Sequence, residues 1–387
     1  MRKEYLMTPG PTPVPSEVLL AQAKPMIHHR APIYTEIILE VLDDLKYVFQ
    51  TKNDIIMFAS SGTGGMESAV VNLFSPGDKV LVASTGNFGE RWVKISGAYG
   101  LDVVKLDYEW GEKANPQDIA DALAKDPDIK GVLTTHSETS TGVTNDIKTI
   151  GKIVAGYKAV LVVDAISGLG ACELKTDEWK CDVVISGSQK ALMTPPGLAF
   201  TSVSDKAWAM VEKSTLPKFY FDYKTSRDAL HKDQPQSPFT PAVSTIVGLG
   251  EALKLIKKET LEKVLERHAV LAKACRAGVH ALGLELFGAS DEMANSVTAI
   301  KAPEGIDGQA VVKTLRVKYG ITIAGGQGRI KGKIFRIGHC GYYDKFDIVS
   351  VMAGLEMALK DLGYPVEMGA AVGAAAEVLY EGISVLS

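Results

Sequence analysis

The chain has 387 residues, of which 46% are hydrophobic and 23% are charged, and its formal net charge is −4. These values predict a globular protein with two domains and a large core, and the negative charge argues against a nucleic-acid-binding protein, which would usually be basic. No apolar run approaches the roughly 20 residues of a membrane span, and no secretory signal is expected because the basic start lacks an apolar stretch after it. Four widely spaced cysteines indicate free thiols in a reducing compartment, so a cytoplasmic location is expected.

The N-terminal part predicts an extended arm followed by a helix. Four prolines lie within the first fifteen residues, at positions 9, 11, 13 and 15, and proline disfavours a helix there. Residues 33–49 place apolar side chains at helical spacing, which indicates a helix with one buried face.

Between about residues 55 and 203, short apolar runs alternate with segments of helical composition. The predicted strands are residues 55–59, 79–83, 102–106, 131–135, 159–163, 183–186 and 198–203, and the predicted helices between them include residues 64–73, 89–99, 115–124 and 146–155. Nearly continuous apolar strands with helical crossovers favour an α/β fold, with a mainly parallel seven-stranded sheet that helices cover on both faces.

The rest of the chain predicts a loop, a long helical pattern and a smaller α+β unit. Residues 215–237 are polar, aromatic and dotted with proline, which is typical of a loop, and residues 243–281 have a helical pattern that breaks near residues 259–260. Further helices are predicted at residues 307–318, 345–362 and 366–379, and strands at residues 296–300 and 334–337. We therefore expect an N-terminal arm (residues 1–20), a large domain (21–260) and a small C-terminal domain (261–387).

Two neighbouring strand ends carry the residues with the clearest chemistry. Lys190 lies in the small, polar segment 186–192, which follows the strand at 183–186, and Asp164 follows the strand at 159–163. Open α/β sheets bind ligands at the carboxyl ends of their strands. A lysine that forms a Schiff base, together with a carboxylate that keeps a pyridinium nitrogen protonated, is what pyridoxal phosphate requires. The alternatives are a surface lysine and an aspartate that caps a helix.

Other polar segments also follow predicted strands. Residues 60–67 combine hydroxyls and glycines at a helix start, a pattern that suits an anion such as phosphate, although an ordinary serine-capped helix gives the same pattern. Phe88 either stacks on a cofactor ring or packs in the core, and Glu138 and Thr139 are candidates to line the site. Arg336, in a short apolar strand, suits a substrate carboxylate, with an internal salt bridge as the alternative.

Adjacent histidines at positions 28 and 29 do not predict a metal site. Neighbouring side chains point in different directions, and no acidic or cysteine ligand set accompanies them. We expect no metal, and we expect His136 to be structural.

Residues 186–192, followed by Pro195-Pro196-Gly197, resemble the lysine motif of the serine–pyruvate / alanine–glyoxylate aminotransferases, which are class V enzymes of the fold type I pyridoxal-phosphate family. The resemblance covers almost the whole chain, and it includes the matching segments Pro9-Gly10-Pro11, Ser75-Pro76-Gly77-Asp78, residues 138–143, Thr240-Pro241 and Arg336-Ile337-Gly338.

The resemblance implies a role for each matching residue. Lys190 would hold pyridoxal 5'-phosphate as a Schiff base and shuttle the proton, and Asp164 would pair with the pyridine nitrogen. Arg336 would bind the substrate carboxylate, with Gly10 also at the substrate site. The remaining implied cofactor-binding residues are Ser61, Gly62, Thr63 and Gln189 at the phosphate, Phe88 on the ring, Thr139 near the cofactor hydroxyl, and Thr240 reaching the phosphate of the neighbouring subunit of a homodimer.

The implied reaction is a ping-pong transamination between small amino acids (alanine or serine) and 2-oxo acids (glyoxylate or pyruvate). Aspartate or another donor remains open, because Arg30 or Arg227 would offer a second carboxylate site. A pyridoxal-phosphate lyase such as a cysteine desulfurase is a further alternative, with Cys340 as its nucleophile. A non-catalytic module that associates with another enzyme complex also remains open.

Overall fold

A computed structural model describes residues 3–288 and 293–386 of the chain. Short strands are distributed along its whole length. In chain order they are β1 (Tyr5–Leu6), β2 (Asp54–Phe58), β3 (Lys79–Ser84), β4 (Asp102–Asp107), β5 (Ile129–Thr135), β6 (Ser137–Glu138), β7 (Val143–Thr144), β8 (Val160–Asp164), β9 (Val183–Gly187), β10 (Ala199–Val203), β11 (Val297–Lys301), β12 (Ile321–Thr322), β13 (Ala324–Gly325) and β14 (Ile334–Gly338).

Helices connect and cover these strands. They are α1 (Ser16–Gln22), α2 (Pro32–Phe49), α3 (Gly62–Leu73), α4 (Asn87–Ala98), α5 (Pro116–Lys125), α6 (Ile147–Val154), α7 (Asp205–Val211), α8 (Tyr223–Leu230), α9 (Val243–Glu259), α10 (Leu261–Ala281), α11 (Gly308–Thr314), α12 (Lys345–Asp361), α13 (Ala370–Glu381) and α14 (Ile383–Leu386). None of the helices in the described part of the chain combines the length and apolar content that a membrane crossing requires.

The main sheet has seven strands in the order β2-β10-β9-β8-β5-β3-β4. β10 runs antiparallel to both of its neighbours, and the other pairs within the block β9-β8-β5-β3-β4 are parallel. The mainly parallel seven-stranded sheet predicted from the apolar runs is confirmed, and each of the seven predicted runs is a strand of this sheet.

Alternate side chains of the sheet belong to different hydrophobic clusters. In β8, Leu161 and Val163 pack with helix α2, whereas Val160 and Val162 pack in a second cluster with helix α3. Because successive side chains of a strand point to opposite faces, both faces of the sheet are covered, as expected for buried parallel strands.

A third hydrophobic cluster is formed by α10, α12 and α13 over the three-stranded sheet β11-β14-β13. The N-terminal arm joins this part of the molecule, since β1 pairs in parallel with β12 and Met7 is buried in the same cluster. The cluster agrees with the predicted small unit, but the boundaries at residues 20 and 260 stay predictions, and residues 1, 2, 289–292 and 387 of those ranges lie outside the described residues.

Two sequence predictions about the middle of the chain have different outcomes. The helical break is confirmed, because Thr260 separates α9 from α10 with a φ of +74°. The prediction of a loop across residues 215–237 is wrong in part, because α8 lies within it. Asp222 caps that helix by accepting a hydrogen bond from the Lys224 amide at 3.0 Å, a local interaction that favours helix initiation.

Candidate active site

The sheet brings the predicted site residues to one edge. β2, β3, β5, β8 and β9 run in the same direction, so their carboxyl ends, and the segments that follow them, meet there. Asp164 ends β8 and lies beside Ile185 of β9. Lys190 follows β9 by three residues, so parallel pairing of two adjacent strands places the lysine and the aspartate in one region.

The Lys190 amine lies against the N-terminal arm. Its Nζ donates a hydrogen bond to the Pro9 carbonyl at 2.5 Å. Gly10 leaves room for the amine, because a Cβ added to Gly10 would lie 2.1 Å from Nζ, and its φ of +128° also favours glycine. Burial lowers the pKa of Lys190, with the charge of Arg336 acting in the same direction. A lowered pKa increases the neutral fraction, which is the nucleophilic form of an amine.

Asp164 is a buried carboxyl, with 3% of its surface exposed. Burial raises its pKa to about 7, although the carboxyl accepts a hydrogen bond from the Ile166 amide at 2.9 Å, which acts in the opposite direction. Nearby charges contribute as well, since Glu138 raises the pKa and Lys190 lowers it. A cationic ligand would offset the cost of ionising a carboxyl in such surroundings.

The segment predicted to bind phosphate begins helix α3. Ser61 is the N-cap residue, and its side chain makes no capping hydrogen bond, so its hydroxyl is not used within the helix. The first amides of a helix lack intrahelical partners and attract anions. Gln189 lies in the turn before Lys190, and its side-chain Oε1 is buried without a hydrogen-bond partner. The Ser61 hydroxyl and the Gln189 Oε1 are therefore polar groups that the protein itself leaves unused.

Phe88 is fixed by its backbone at the start of α4. Glu138 is fully buried and accepts hydrogen bonds from the amides of Phe88 and Gly89, at 3.1 and 3.0 Å to Oε2. Gly86, the N-cap residue, has no side chain, and a Cβ there would lie 2.5 Å from the Glu138 carboxyl carbon. Ser140 also donates to Glu138, at 2.5 Å. A carboxylate from another strand end thus caps the helix that carries the predicted stacking ring.

Arg336 lies on β14 with 3% of its surface exposed. It donates from Nη1 to the Thr139 carbonyl at 2.8 Å, and from Nε and Nη2 to the Gly325 carbonyl at 3.0 and 2.8 Å. Among residues 3–288 and 293–386, no carboxylate forms a salt bridge with it, so the alternative of an internal salt bridge is not supported. Burial lowers the pKa of Arg336 to about 10.

Thr139 and Thr240 differ in their surroundings. Thr139 is buried, and its hydroxyl donates to Ser167 Oγ at 2.6 Å. Thr240 is exposed, in a recess that Phe58 at the end of β2 also lines. The role of Thr240 toward a neighbouring subunit stays a prediction, as do the other implied roles.

The two arginines considered for a second carboxylate already have partners. Arg30 donates to Gln236 Oε1 and to the Ser237 carbonyl, both at 2.6 Å. Arg227 pairs with Asp54 at 3.0 Å, at the start of β2 and therefore at the opposite edge of the sheet.

Sequence reasoning missed Arg91, which lies in the first half of α4. Its Nη1 donates to Thr63 Oγ1 at 3.0 Å, and its guanidinium lies 4.6 Å from the centre of the Phe88 ring. The spacing of Phe88 and Arg91, three residues apart on a predicted helix, is the signal that indicates they share a face. The contact with Thr63 depends on how α3 and α4 pack and has no signal in the sequence.

Cys340, the nucleophile considered for a lyase, is fully buried against Ala171 and Ala191. Burial raises the pKa of its thiol to about 11. The thiol is therefore packed, and its raised pKa favours the protonated form over the thiolate that a desulfurase requires.

His136 is also buried, and burial lowers its pKa to about 4, so it is neutral near pH 7. In the part of the chain that the structure describes, no group of three or more His, Cys, Asp or Glu side chains is arranged to hold a metal ion.

Comparison with known proteins places this chain in one family. The Aminotransferase class-V family profile matches residues 4–334. The serine–glyoxylate aminotransferase of Methylorubrum extorquens is 40% identical over 98% of this chain and 96% of the relative. The soluble hydrogenase small subunit of Synechococcus sp. is 43% identical over 97% of this chain and 98% of the relative.

A solved structure agrees with these sequence relatives. The ureidoglycine–glyoxylate aminotransferase of Bacillus subtilis superposes with a TM-score of 0.94 at 34% identity, and the match covers 98% of this chain and 99% of that one. The chain therefore belongs to the class-V aminotransferase family.

Proposed function

We propose that this protein is a pyridoxal-phosphate-dependent aminotransferase that moves the amino group of a small L-amino acid, alanine or serine, to glyoxylate or pyruvate. The observation that carries the proposal is the pairing of β8 with β9, which brings a lysine of lowered pKa and a buried carboxyl of raised pKa to one edge of the sheet. Perturbed titratable groups of opposite kind at a strand edge are typical of an active site.

The unused polar groups of the site fit this coenzyme. The Ser61 hydroxyl and the amides that begin α3 suit a phosphate, and Gln189, whose side-chain Oε1 has no hydrogen-bond partner, directly precedes Lys190. Asp164 suits a pyridinium nitrogen, because a cation there offsets the cost of its buried charge. When bound, pyridoxal phosphate supplies an electron sink that stabilises negative charge at the substrate α-carbon.

The chain's own residues supply attachment, proton transfer and orientation. The Lys190 amine would hold the coenzyme and, once an amino acid has replaced it, would accept the proton of the substrate α-carbon at Nζ. Its lowered pKa suits that role because a base must be neutral near the working pH. Phe88, held by Glu138 at the start of α4, would restrict the orientation of the ring.

Arg336 would select substrates that carry a carboxylate. Its guanidinium is buried and bonds only to carbonyl oxygens among the described residues, so a substrate carboxylate would be its first charged hydrogen-bond partner. The preference for small substrates follows from the engagement of Arg30 and Arg227, whose partners leave neither of them directed to a distal carboxylate.

A homodimer is part of the proposal. The rings of Tyr220 and Phe239 stack at 5.6 Å, and Phe219, which is 81% exposed, lies 5.5 Å from Phe239. Exposed aromatic clusters are typical of interaction surfaces. Because Thr240 follows Phe239 directly, a partner that covers these rings would also contact Thr240. We also propose a cytoplasmic location, which the four free cysteines support.

A half-reaction screen tests the proposed function. Coenzyme-loaded protein is mixed with single amino acids, and the loss of the aldehyde form of the coenzyme is followed by absorbance. We expect alanine and serine to react faster than aspartate and glutamate, and glyoxylate or pyruvate to reverse the change. Cysteine is included with a sulfide assay, since sulfide release that Cys340→Ala abolishes would instead support the lyase. Absence of any amino-group transfer would contradict the proposal.

A further inference from the structure

Arg91 has no role among the cofactor-binding and substrate-binding residues that the family resemblance implies. It lies on α4 one turn after Phe88, is partly buried, and forms no salt bridge with any carboxylate in residues 3–288 and 293–386. A partly desolvated guanidinium that forms no salt bridge can take up a charged ligand.

The hydrogen bond between Arg91 and Thr63 determines what the threonine can offer a ligand. Arg91 Nη1 is the donor at 3.0 Å, so Thr63 Oγ1 is the acceptor and its own hydrogen remains available. Thr63 lies in the first turn of α3, beside Ser61 and the free amides of that turn. Arg91 therefore orients the hydroxyl as a donor at the predicted phosphate site.

A second contact fixes the predicted stacking ring. The Arg91 guanidinium lies 4.6 Å from the centroid of Phe88, within the range of a cation–π interaction. The backbone of Phe88 is already held by Glu138. Phe88 is thus restrained twice, by the Glu138 carboxylate at its backbone amide and by the Arg91 guanidinium over the face of its ring.

The charge of Arg91 also acts on the reacting groups. It lowers the pKa of Asp164, after the larger effects of burial and of the Ile166 amide, and it lowers the pKa of Lys190, where burial is again the largest cause. The other titratable or charged groups that act on Lys190 are Cys340, Arg336 and Asp164, and those that act on Asp164 are Glu138 and Lys190.

We propose that Arg91 is a positioning residue for the coenzyme, which orients the Thr63 hydroxyl as a donor, fixes the Phe88 ring and adds positive charge to the environment of Lys190 and Asp164. This proposal rests on the proposed function, because it concerns the binding of pyridoxal phosphate. It assigns the three effects to one side chain, and they can be separated by substitution.

Two variants separate the charge from the contacts. Arg91→Lys keeps the positive charge but loses the planar group over Phe88, whereas Arg91→Gln keeps a donor for Thr63 but loses the charge. Arg227→Gln is the matched control, since that guanidinium also lies over an aromatic ring, 4.3 Å from the centre of Trp208, at the opposite edge of the sheet.

Two readouts are measured on each variant, neither of which is turnover. The first is the dissociation constant of pyridoxal phosphate from the protein, and the second is the pH midpoint of the absorbance change of the bound coenzyme. We expect about tenfold weaker binding in both Arg91 variants. Removal of a positive charge favours protonation nearby, so we expect the midpoint to rise by about 0.5 pH unit or more in Arg91→Gln. In Arg91→Lys and Arg227→Gln, the pH midpoint should stay within about 0.2 pH unit of the wild-type value.

An unchanged midpoint in Arg91→Gln, or an equal change in Arg227→Gln, would overturn the proposal. About tenfold weaker coenzyme binding in both Arg91 variants, with unchanged binding in Arg227→Gln, would support it. Failure of the proposed function would look different, because the wild-type protein itself would then show no absorbance from bound coenzyme. Thermal unfolding without coenzyme checks that each variant is folded.

Discussion

Replacement of Arg336 offers the sharpest test of how substrates are selected. The guanidinium is 3% exposed, and it bonds to the carbonyls of Thr139 and Gly325. If it binds the α-carboxylate of the substrate, its loss should slow only those substrates that carry a carboxylate. Two variants are informative, Arg336→Lys, which keeps a positive charge, and Arg336→Gln, which does not.

The expected magnitude follows from the contacts that a buried guanidinium can make. Hydrogen bonds between charged groups contribute about 1.5–3 kcal/mol each, and a carboxylate takes two of them from an arginine. Loss of about 3 kcal/mol in Arg336→Gln corresponds to roughly a 100-fold lower kcat/KM. Arg336→Lys keeps the charge and one bond, so we expect a loss of about tenfold.

The assay compares alanine with ethylamine, which has the same amine and methyl group but no carboxylate. Rates of the first half-reaction are measured by stopped flow for both substrates in each variant. The account predicts that the preference for alanine falls by the factors given above, while the ethylamine rate changes less than about threefold. Equal slowing of both substrates would refute the reasoning, because it would show that Arg336 acts by maintaining the structure.

Three further predictions concern residues around the coenzyme site. Asp164→Asn should make the coenzyme-free protein more stable at pH 8, by up to about 4 kcal/mol in denaturant unfolding, but not at pH 4. The reason is that the pKa of Asp164 is raised to about 7 in the folded protein, so the wild type loses stability as the pH rises from about 4 to 7. Equal stability of wild type and variant at pH 8 would contradict the assigned burial of Asp164. Gly10→Ala should weaken coenzyme attachment by about tenfold or more, because the added Cβ would lie 2.1 Å from Lys190 Nζ. Gly100→Ala is the control, since Gly100 also has a positive φ (+70°) but no atom within 4 Å of its added Cβ, and it should lose only about 1 kcal/mol of stability. Equal losses of coenzyme attachment in the two variants would show that backbone strain alone matters. Cys340→Ala should keep its transaminase activity within about threefold and lose about 1 kcal/mol of unfolding free energy, because the thiol is packed and protonated; a selective loss of activity would reopen a role for it.

Much of the fold could be predicted because its signals are local. The central strands of the main sheet are buried on both faces, so their sequences are nearly continuous apolar runs, as in Val160–Asp164. The helix Tyr223–Leu230 was missed because it lies among polar and proline-rich residues, and its clearest signal is a single capping aspartate, Asp222. The pairing of Tyr5–Leu6 with Ile321–Thr322 joins segments more than 300 residues apart, which no local pattern indicates.

The candidate site was predictable to the extent that its residues follow strands. Asp164 ends β8 and Lys190 closely follows the adjacent β9, so pattern and topology together indicate their proximity. The contacts of Arg91 with Thr63 and of the N-terminal arm with Lys190 arise from packing between distant segments. The raised pKa of Asp164 likewise depends on burial, which periodicity predicts for a strand but not for the residue at its end.

The attachment of the coenzyme tests the central claim most directly. Protein loaded with pyridoxal phosphate is reduced with borohydride, digested and analysed by mass spectrometry, with Lys190→Ala as the comparison. The account predicts that the wild-type protein carries a phosphopyridoxyl group on Lys190 and that the variant carries none. A group fixed to a different lysine, or none in the wild-type protein under loading conditions, would contradict the account.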